Sequence, residues 1–263
     1  MRIHVLMENS CCRDDLAAEH GLSLLIETAG TTVLFDTGAS PAFADNAARM
    51  EVDLSAVDVA VLSHGHYDHG GGIPRFLELN AHAPVWVSER AFEPHYNAHG
   101  KDIGLHAPPA THPRLRRPGA VPVQLAPHVT LWPAADMPCP HAPEGRGMHT
   151  LVNGERREDD FLHEQYLLVE EAGRRVLFSG CSHRGVLNIR EYFQPDVLVG
   201  GFHLMNRSPE TDAAVLQDYA RSLALGTTQY YTGHCTGDPA FRYLQAHLGA
   251  RLQALATGMQ FTI

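Results

Sequence analysis

The sequence predicts a mixed α/β (α+β) fold built from two similar halves, their sheets sandwiched together and their helices outside. Three observations predict it. Short apolar runs such as residues 22–28, 32–36 and 58–62 are nearly continuous, as expected of strands covered on both faces. Each half then opens on a strand pair joined by a tight turn, Ala29-Gly30 in the first and Glu171-Ala172-Gly173 in the second. Strand–helix units follow in both, a succession unlike the unbroken alternation of a doubly wound parallel sheet. The length of 263 residues, 44% of them apolar, suits one domain with a real core.

The elements follow in order. The N-terminal residues read as a first strand, and 22–28 and 32–36 as the strand pair. Residues 41–50 form a short helix, 58–62 a buried strand, 70–79 a helix interrupted near Pro74, and 84–88 another strand. Between about 93 and 160 the texture changes, with ten prolines from Pro108 to Pro143 and seven histidines from His95 to His149. Proline-dense sequence builds neither central strands nor long helices. This stretch reads as an insertion in a single domain spanning 1–263, lying over the surface with short strands at 121–125 and 129–132. Loops of this length are usually functional. Alternation resumes with strands at 165–170 and 174–179, a helix at 185–193 and a strand at 196–199. A long helix at 209–225 is opened by Ser208, and a strand follows at 228–232. A helix at 239–247 takes Asp238 as its N-cap, and a last strand covers 260–263.

Composition excludes several function classes. A net charge of −10 argues against nucleic acid, whose binders carry a basic stripe. No uninterrupted apolar stretch of about 18 residues exists to span a membrane. The five cysteines show no zinc-finger spacing and their odd number fits a disulfide framework poorly, so a reducing cytoplasm is the expected location. A small molecule is the expected partner, and oligomeric state is left open.

The unusual number is eighteen histidines, since histidine is the commonest metal ligand. Three of them crowd Ser63-His64-Gly65-His66-Tyr67-Asp68-His69-Gly70-Gly71-Gly72, directly after an apolar strand, where α/β proteins place sites. Imidazole and carboxylate together suit zinc, iron or manganese. His64 and His66 can converge on one ion, while Asp68 and His69 turn to a second as the glycines let the chain fold back tightly. Asp36, Cys181, His183, His203 and His234 all follow other apolar strands beside or near glycine. Their shared placement points them into one site.

With these residues the sequence resembles the metallo-β-lactamase superfamily, through Leu-Phe-Asp36-Thr-Gly, the His64–His69 motif and the histidine after a late strand. The resemblance implies a four-layer αββα sandwich carrying two divalent metal ions, zinc in most members and iron or manganese in some. It implies His64 and His66 as ligands of one metal, Asp68 and His69 of the other, and His234 as the last metal histidine. Asp36 resembles the buried aspartate that orients the histidine loop.

Two departures stand out. Cys181 occupies the place of the usual bridging aspartate, and the third-motif histidine is either His183 or His163, with His183 favoured. Glu19-His20-Gly21-Leu22-Ser23, Gly180-Cys181-Ser182-His183, Gly200-Gly201-Phe202-His203 and Gly233-His234-Cys235-Thr236-Gly237 look like the branch named after the archaeal dihydropterin–ribofuranosylaminobenzene phosphate synthase. Cys181 is also open as a thiolate ligand, and His20 and His203 as residues lining the pocket. The implied activity is a metal-dependent hydrolase, with a metal-bound hydroxide held by Asp68 attacking a small ester or phosphoester. The alternatives are a pterin-type transferase and a mononuclear iron dioxygenase, with a non-enzymatic sensor ranked last.

Overall fold

A computed structural model describes residues 1–263. Two seven-stranded sheets form its centre. In the first, the order is Gln260–Thr262, Arg2–Met7, Ser23–Glu27, Thr32–Phe35, Val59–Val61, Val85–Trp86 and Leu115–Arg116. In the second it is Leu252–Ala254, Gln229–Thr232, Val197–Val199, Arg174–Phe178, Gln165–Glu171, Val129–Pro133 and Val123–Ala126. Each sheet contains an antiparallel strand pair continued by parallel strands, the repeat expected from the sequence.

Three apolar clusters define four layers. Val5, Ile26, Phe35 and Val61 from the first sheet meet Leu131, Leu167, Phe178 and Val199 from the second, with the rings of Phe35 and Phe178 5.8 Å apart. Alternate residues point the other way. Leu6, Leu25, Leu34 and Ala60 pack under the helices Ala42–Arg49 and Ile73–Leu79 through Phe43, Ala47 and Phe76. On the opposite face Leu168, Leu177 and Leu198 meet the helices Val186–Phe193, Pro209–Ala224 and Asp238–Leu248. Pro209–Ala224 buries Leu216, Tyr219, Ala220 and Leu223, the spacing of one helical face. The order of layers is therefore helix, sheet, sheet, helix.

Four sequence expectations are corrected. Residues 93–160 do not simply lie over the surface: Leu115–Arg116 edges the first sheet, and Val123–Ala126 and Val129–Pro133 complete the second. Val129 and Leu131 are wholly buried, because Pro122 and Pro127 lie outside the strands and Pro133 is only the last residue of the ladder. Only the remainder stands apart, with His95–Tyr96, His149–Val152 and Glu155–Glu158 forming a separate three-stranded sheet. The helical stretch at 67–79 breaks at Gly71-Gly72, while Pro74 sits in the first turn of Ile73–Leu79, where its missing N–H costs nothing. The helix Asp238–Leu248 is preceded by Gly237, and Asp238 is its first residue instead of a capping one. A short strand, Leu252–Ala254, pairs with Gln229–Thr232 where none was expected.

Candidate metal centre

Parallel pairing carries the C-terminal ends of several strands to one edge of each sheet. Thr32–Phe35 runs parallel to Val59–Val61, which puts Asp36 beside the His64–His69 loop. Arg174–Phe178, Val197–Val199 and Gln229–Thr232 are mutually parallel, so the loops bearing Cys181 and His183, His203, and His234 emerge together. Asp36, Ser182, His203 and His234 all hold positive φ, between 49° and 60°. Strained non-glycine backbone of this kind persists only where its surroundings enforce it, and it clusters at functional sites. Gly65 is required for a different reason: a Cβ there would overlap the carbonyl of Ala91. Gly71 likewise has ordinary helical dihedrals, and a side chain on it would strike Ala39. The glycines after His69 thus serve close approach, not left-handed turning.

The metal-type side chains form two adjoining groups. His64 Nε2 and His183 Nε2 lie 3.3 Å apart, and His66 joins them with all three donor atoms within 4.8 Å of one another. In the other group His69 Nε2 is 3.1 Å from His234 Nε2. Asp68 Oδ2 approaches those two nitrogens at 3.9 and 3.2 Å. Two imidazole nitrogens on one tetrahedral zinc stand about 3.3 Å apart, given Zn–N near 2.0–2.1 Å. The spacing therefore fits ions on both sides. Cys181 Sγ lies 3.1 Å from His69 Nε2, at the junction of the groups.

Buried carboxylates and amides hold these rings. Asp36 accepts the Ser63 N–H at 2.6 Å through Oδ1, and through Oδ2 it accepts the Ser63 hydroxyl at 2.7 Å and His69 Nδ1 at 2.6 Å. The Ser63 oxygen, its own proton committed, accepts from His64 Nδ1 at 2.8 Å. On the far side His234 Nδ1 donates to Asn9 Oδ1 at 2.9 Å. These assignments leave the Nε2 lone pairs of His64, His69 and His234 aimed into the centre.

The electrostatics suit a cation. Burial, reinforced by neighbouring imidazoles, drives His64, His66 and His183 well below the usual histidine range, leaving neutral rings with free lone pairs. Burial also opposes ionisation of Asp68, but His69 and His234 overcome it and hold the carboxyl below its ordinary value. Burial opposes charge on His69 as well. The Asp36 and Asp68 carboxylates prevail and push it up to about 9, a proton that a bound metal would displace. His66 Nε2 and His183 Nδ1 are buried without a hydrogen-bond partner.

The structure brings His183, and not His163, against His64. His163 lies behind the loop, its Nδ1 accepting the Gly65 N–H at 3.0 Å and its Nε2 3.4 Å from Asp159. His20 is half-exposed at the mouth, with Nε2 3.4 Å from Asp68 Oδ2. His203 packs its ring 4.2 Å from His183. Arg184 donates to the Asp160 and Met137 carbonyls. Arg156 and Arg157 lie on the exposed strand Glu155–Glu158. His66, Asp68, His183 and His234 line a pocket of about 330 Å³ together with Lys101 and Arg146, while His64 and His69 are wholly buried.

Three contributors escape the sequence motifs. His95 Nδ1 donates to Asp159 at 2.8 Å, and these two with His66 and His163 form a buried four-residue cluster. Glu164 accepts the N–H groups of His183 at 2.6 Å and Arg184 at 3.1 Å. Burial pushes its carboxyl up to about 7. His95 and Asp159 lie 64 residues apart, with no local pattern joining them. Glu164 stands next to His163, and that adjacency is the one signal the sequence offers for it.

Comparison with known proteins agrees with this geometry. The family model of the metallo-beta-lactamase superfamily matches residues 17–151. An uncharacterized protein of Methanocaldococcus jannaschii, MJ0448, is 26% identical over 92% of this chain and 93% of its own. The 7,8-dihydropterin-6-methyl-4-(beta-D-ribofuranosyl)-aminobenzene-5'-phosphate synthase of the same organism is 25% identical over 84% of this chain and 82% of its own. Among solved structures, Tm1679, a metal-dependent hydrolase of the beta-lactamase superfamily, superposes with a TM-score of 0.81 at 29% identity, covering 100% of this chain and 99% of that one. Zinc-bound PqqB from Methylobacterium extorquens shares the fold, with a TM-score of 0.61 at 13% identity and 100% of each chain covered. With just over half its residues matched by the family model, the chain belongs to the metallo-β-lactamase superfamily.

Proposed function

We propose that the protein is a metal-dependent hydrolase acting on a small ester or phosphoester. The observation that carries this reading is the convergence of His64, His66 and His183 on one side, and Asp68, His69 and His234 on the other, with His66, Asp68, His183 and His234 lining a single pocket. Two divalent ions are the cofactors this donor set fits. Zinc is favoured because imidazole and carboxylate donors suit it, and iron or manganese would also be accepted. When bound, such ions lower the pKa of a water toward about 7 and polarise a carbonyl or phosphoryl oxygen.

The chain's own groups would do the rest. Asp68, 3.2 Å from His234 and lining the pocket, would hold and orient the attacking water. His20, facing Asp68 at 3.4 Å from the solvent side, is placed to serve the leaving group. Asp36 and Asn9 keep His69 and His234 from turning. The test is metal analysis of the purified protein, then a screen of phosphoesters and lactones with and without chelator. Chelator-sensitive turnover is expected, and full turnover after complete metal removal overturns the reading.

A transferase activity is the second reading, favoured by the 25% identity with the archaeal synthase. Here the same groups would serve a diphosphate leaving group with an arylamine as acceptor. Pyrophosphate release that depends on an amine distinguishes it from hydrolysis.

A further inference from the structure

We propose that Lys101 and Arg146 form an anchor for a terminal phosphate of the substrate, held apart from the bond that is cleaved. The substrate class this selects is a small ester with a phosphate monoester at its far end. The inference deepens the hydrolase reading given above and rests on it.

Two loops of the 93–160 segment build the anchor. The first is the hairpin tip at residues 97–101. The Asn97 N–H donates to the Lys101 carbonyl at 2.9 Å, and Asn97 Oδ1 accepts the N–H groups of His99 and Lys101, each at 3.0 Å. The base of this hairpin is bonded to the metal loop itself. The Tyr67 N–H donates to the Ile103 carbonyl at 3.0 Å, and His66 pairs with Gly104 in an antiparallel bridge. Lys101, the single lysine of the chain, places its ammonium 5.5 Å from the centre of the Tyr67 ring.

The second loop, residues 145–148, is closed by the Met148 N–H donating to the Gly145 carbonyl at 3.1 Å. A Cβ on Gly145 would overlap the Phe161 ring, and that ring stacks on His183 at 4.9 Å. The two loops meet where a Cβ on Gly147 would stand 3.3 Å from that of Ala98. Lys101 and Arg146 thus enter one pocket with His66, Asp68, His183 and His234, each on a loop braced against the metal centre.

The neighbouring carboxylates are engaged elsewhere. Glu144 accepts from Arg207 at 3.1 Å and from the Tyr219 hydroxyl at 2.6 Å. Asp102 accepts the Gly104 N–H at 2.9 Å and meets His106 at 3.2 Å. Both cations are therefore left to a ligand. A phosphate monoester carries a charge of about −1.5 to −2 at pH 7, which two cations match and a single carboxylate does not. The guanidinium fork suits two phosphate oxygens, and the ammonium serves as a point charge for the third.

The single lysine makes the test direct. In the purified protein, acetylation of the Lys101 amine by an N-hydroxysuccinimide ester is followed by mass spectrometry, with glycerol 3-phosphate or with sodium chloride at equal ionic strength. Glycerol 3-phosphate at about ten times its Kd should slow the reaction about tenfold, and chloride should not. This ratio should persist after a chelator has removed metal, and Arg146→Met should bring it close to one at the same concentration. Protection no greater than that by chloride, protection lost with the metal, or an unchanged ratio in Arg146→Met overturns the proposal. In turnover, an ester with a distal phosphate should exceed its unphosphorylated twin in kcat/KM by about 10- to 100-fold, and equal values also overturn it. Should the metal-loaded protein hydrolyse neither twin, the hydrolase reading fails, while protection of Lys101 still decides the anchor.

Discussion

The two sides of the centre are braced by different means. Asp36, at the end of a core strand, holds His69 directly and His64 through the Ser63 hydroxyl across to the neighbouring parallel strand, its side-chain contacts all between 2.6 and 2.7 Å. His66 faces Asp159, which belongs to residues 93–160 and is held by His95 at 2.8 Å and the Phe161 N–H at 2.8 Å. Asp159 approaches His163 at only 3.4 Å, and His66 Nε2 has no partner. One side is thus prebuilt by the sheet, whereas the other leans on a peripheral segment. Changes at Asp36 should accordingly weaken both metals, and changes at Asp159 only the one held by His64, His66 and His183.

Removing ligands from both sides at once has the largest expected effect. His66→Ala with Asp68→Ala should reduce bound metal and chelator-sensitive turnover to background, read by elemental analysis and a phosphoester assay. Asp36→Asn comes next. It leaves the ligands intact but weakens the hold on His69 and the Ser63 relay, and should lower metal affinity by about 10- to 100-fold, measured by competition with a chromophoric chelator. Asp159→Asn should cost about tenfold, the low end for such partners, and on one metal only. Biphasic chelator titration checks this, and an equal loss of both metals would erase the distinction between the sides.

The effect smallest at the metals themselves concerns Glu164, which braces the His183 loop. Its carboxyl rises from 4.5 to about 7 because burial penalises the charge, so the folded state binds more protons than the unfolded. Stability from this group is complete below about pH 4.5, declines as pH rises through about 7, and then levels off. Glu164→Gln should flatten that decline by on the order of 1 kcal/mol per pH unit within the window. Urea unfolding of the metal-free protein at several pH values measures it.

How much of this was legible beforehand follows from the range of each interaction. The His64–His69 motif, Asp36 and His234 could be read because each sits where an apolar strand meets glycine, a signal contained in a few adjacent residues. His183, whose turn follows the core strand Arg174–Phe178, lies against His64, whereas His163 bonds the Gly65 N–H from behind the loop. Asp159 and His95 stayed hidden because their pairing depends on a three-stranded sheet whose strands join residues some fifty positions apart. Val129–Pro133 was seen as a strand but misjudged as peripheral. Its depth is set by pairing with Gln165–Glu171, which local proline density does not report.

The pairing of Arg2–Met7 with Gln260–Thr262 has a consequence for assembly on the ribosome. Glu8, just past that first strand, bonds Thr257 and the His234 amide, and Asn9 fixes the His234 ring. These links close loops of more than 220 residues, among the slowest kind of contact to form. A nascent chain can shape the His64–His69 loop once the early strands have emerged, but His234 acquires its bracing only when synthesis has passed residue 257. Capture of the second ion should therefore lag behind the first, and a chain stalled before that point would carry a half-formed centre.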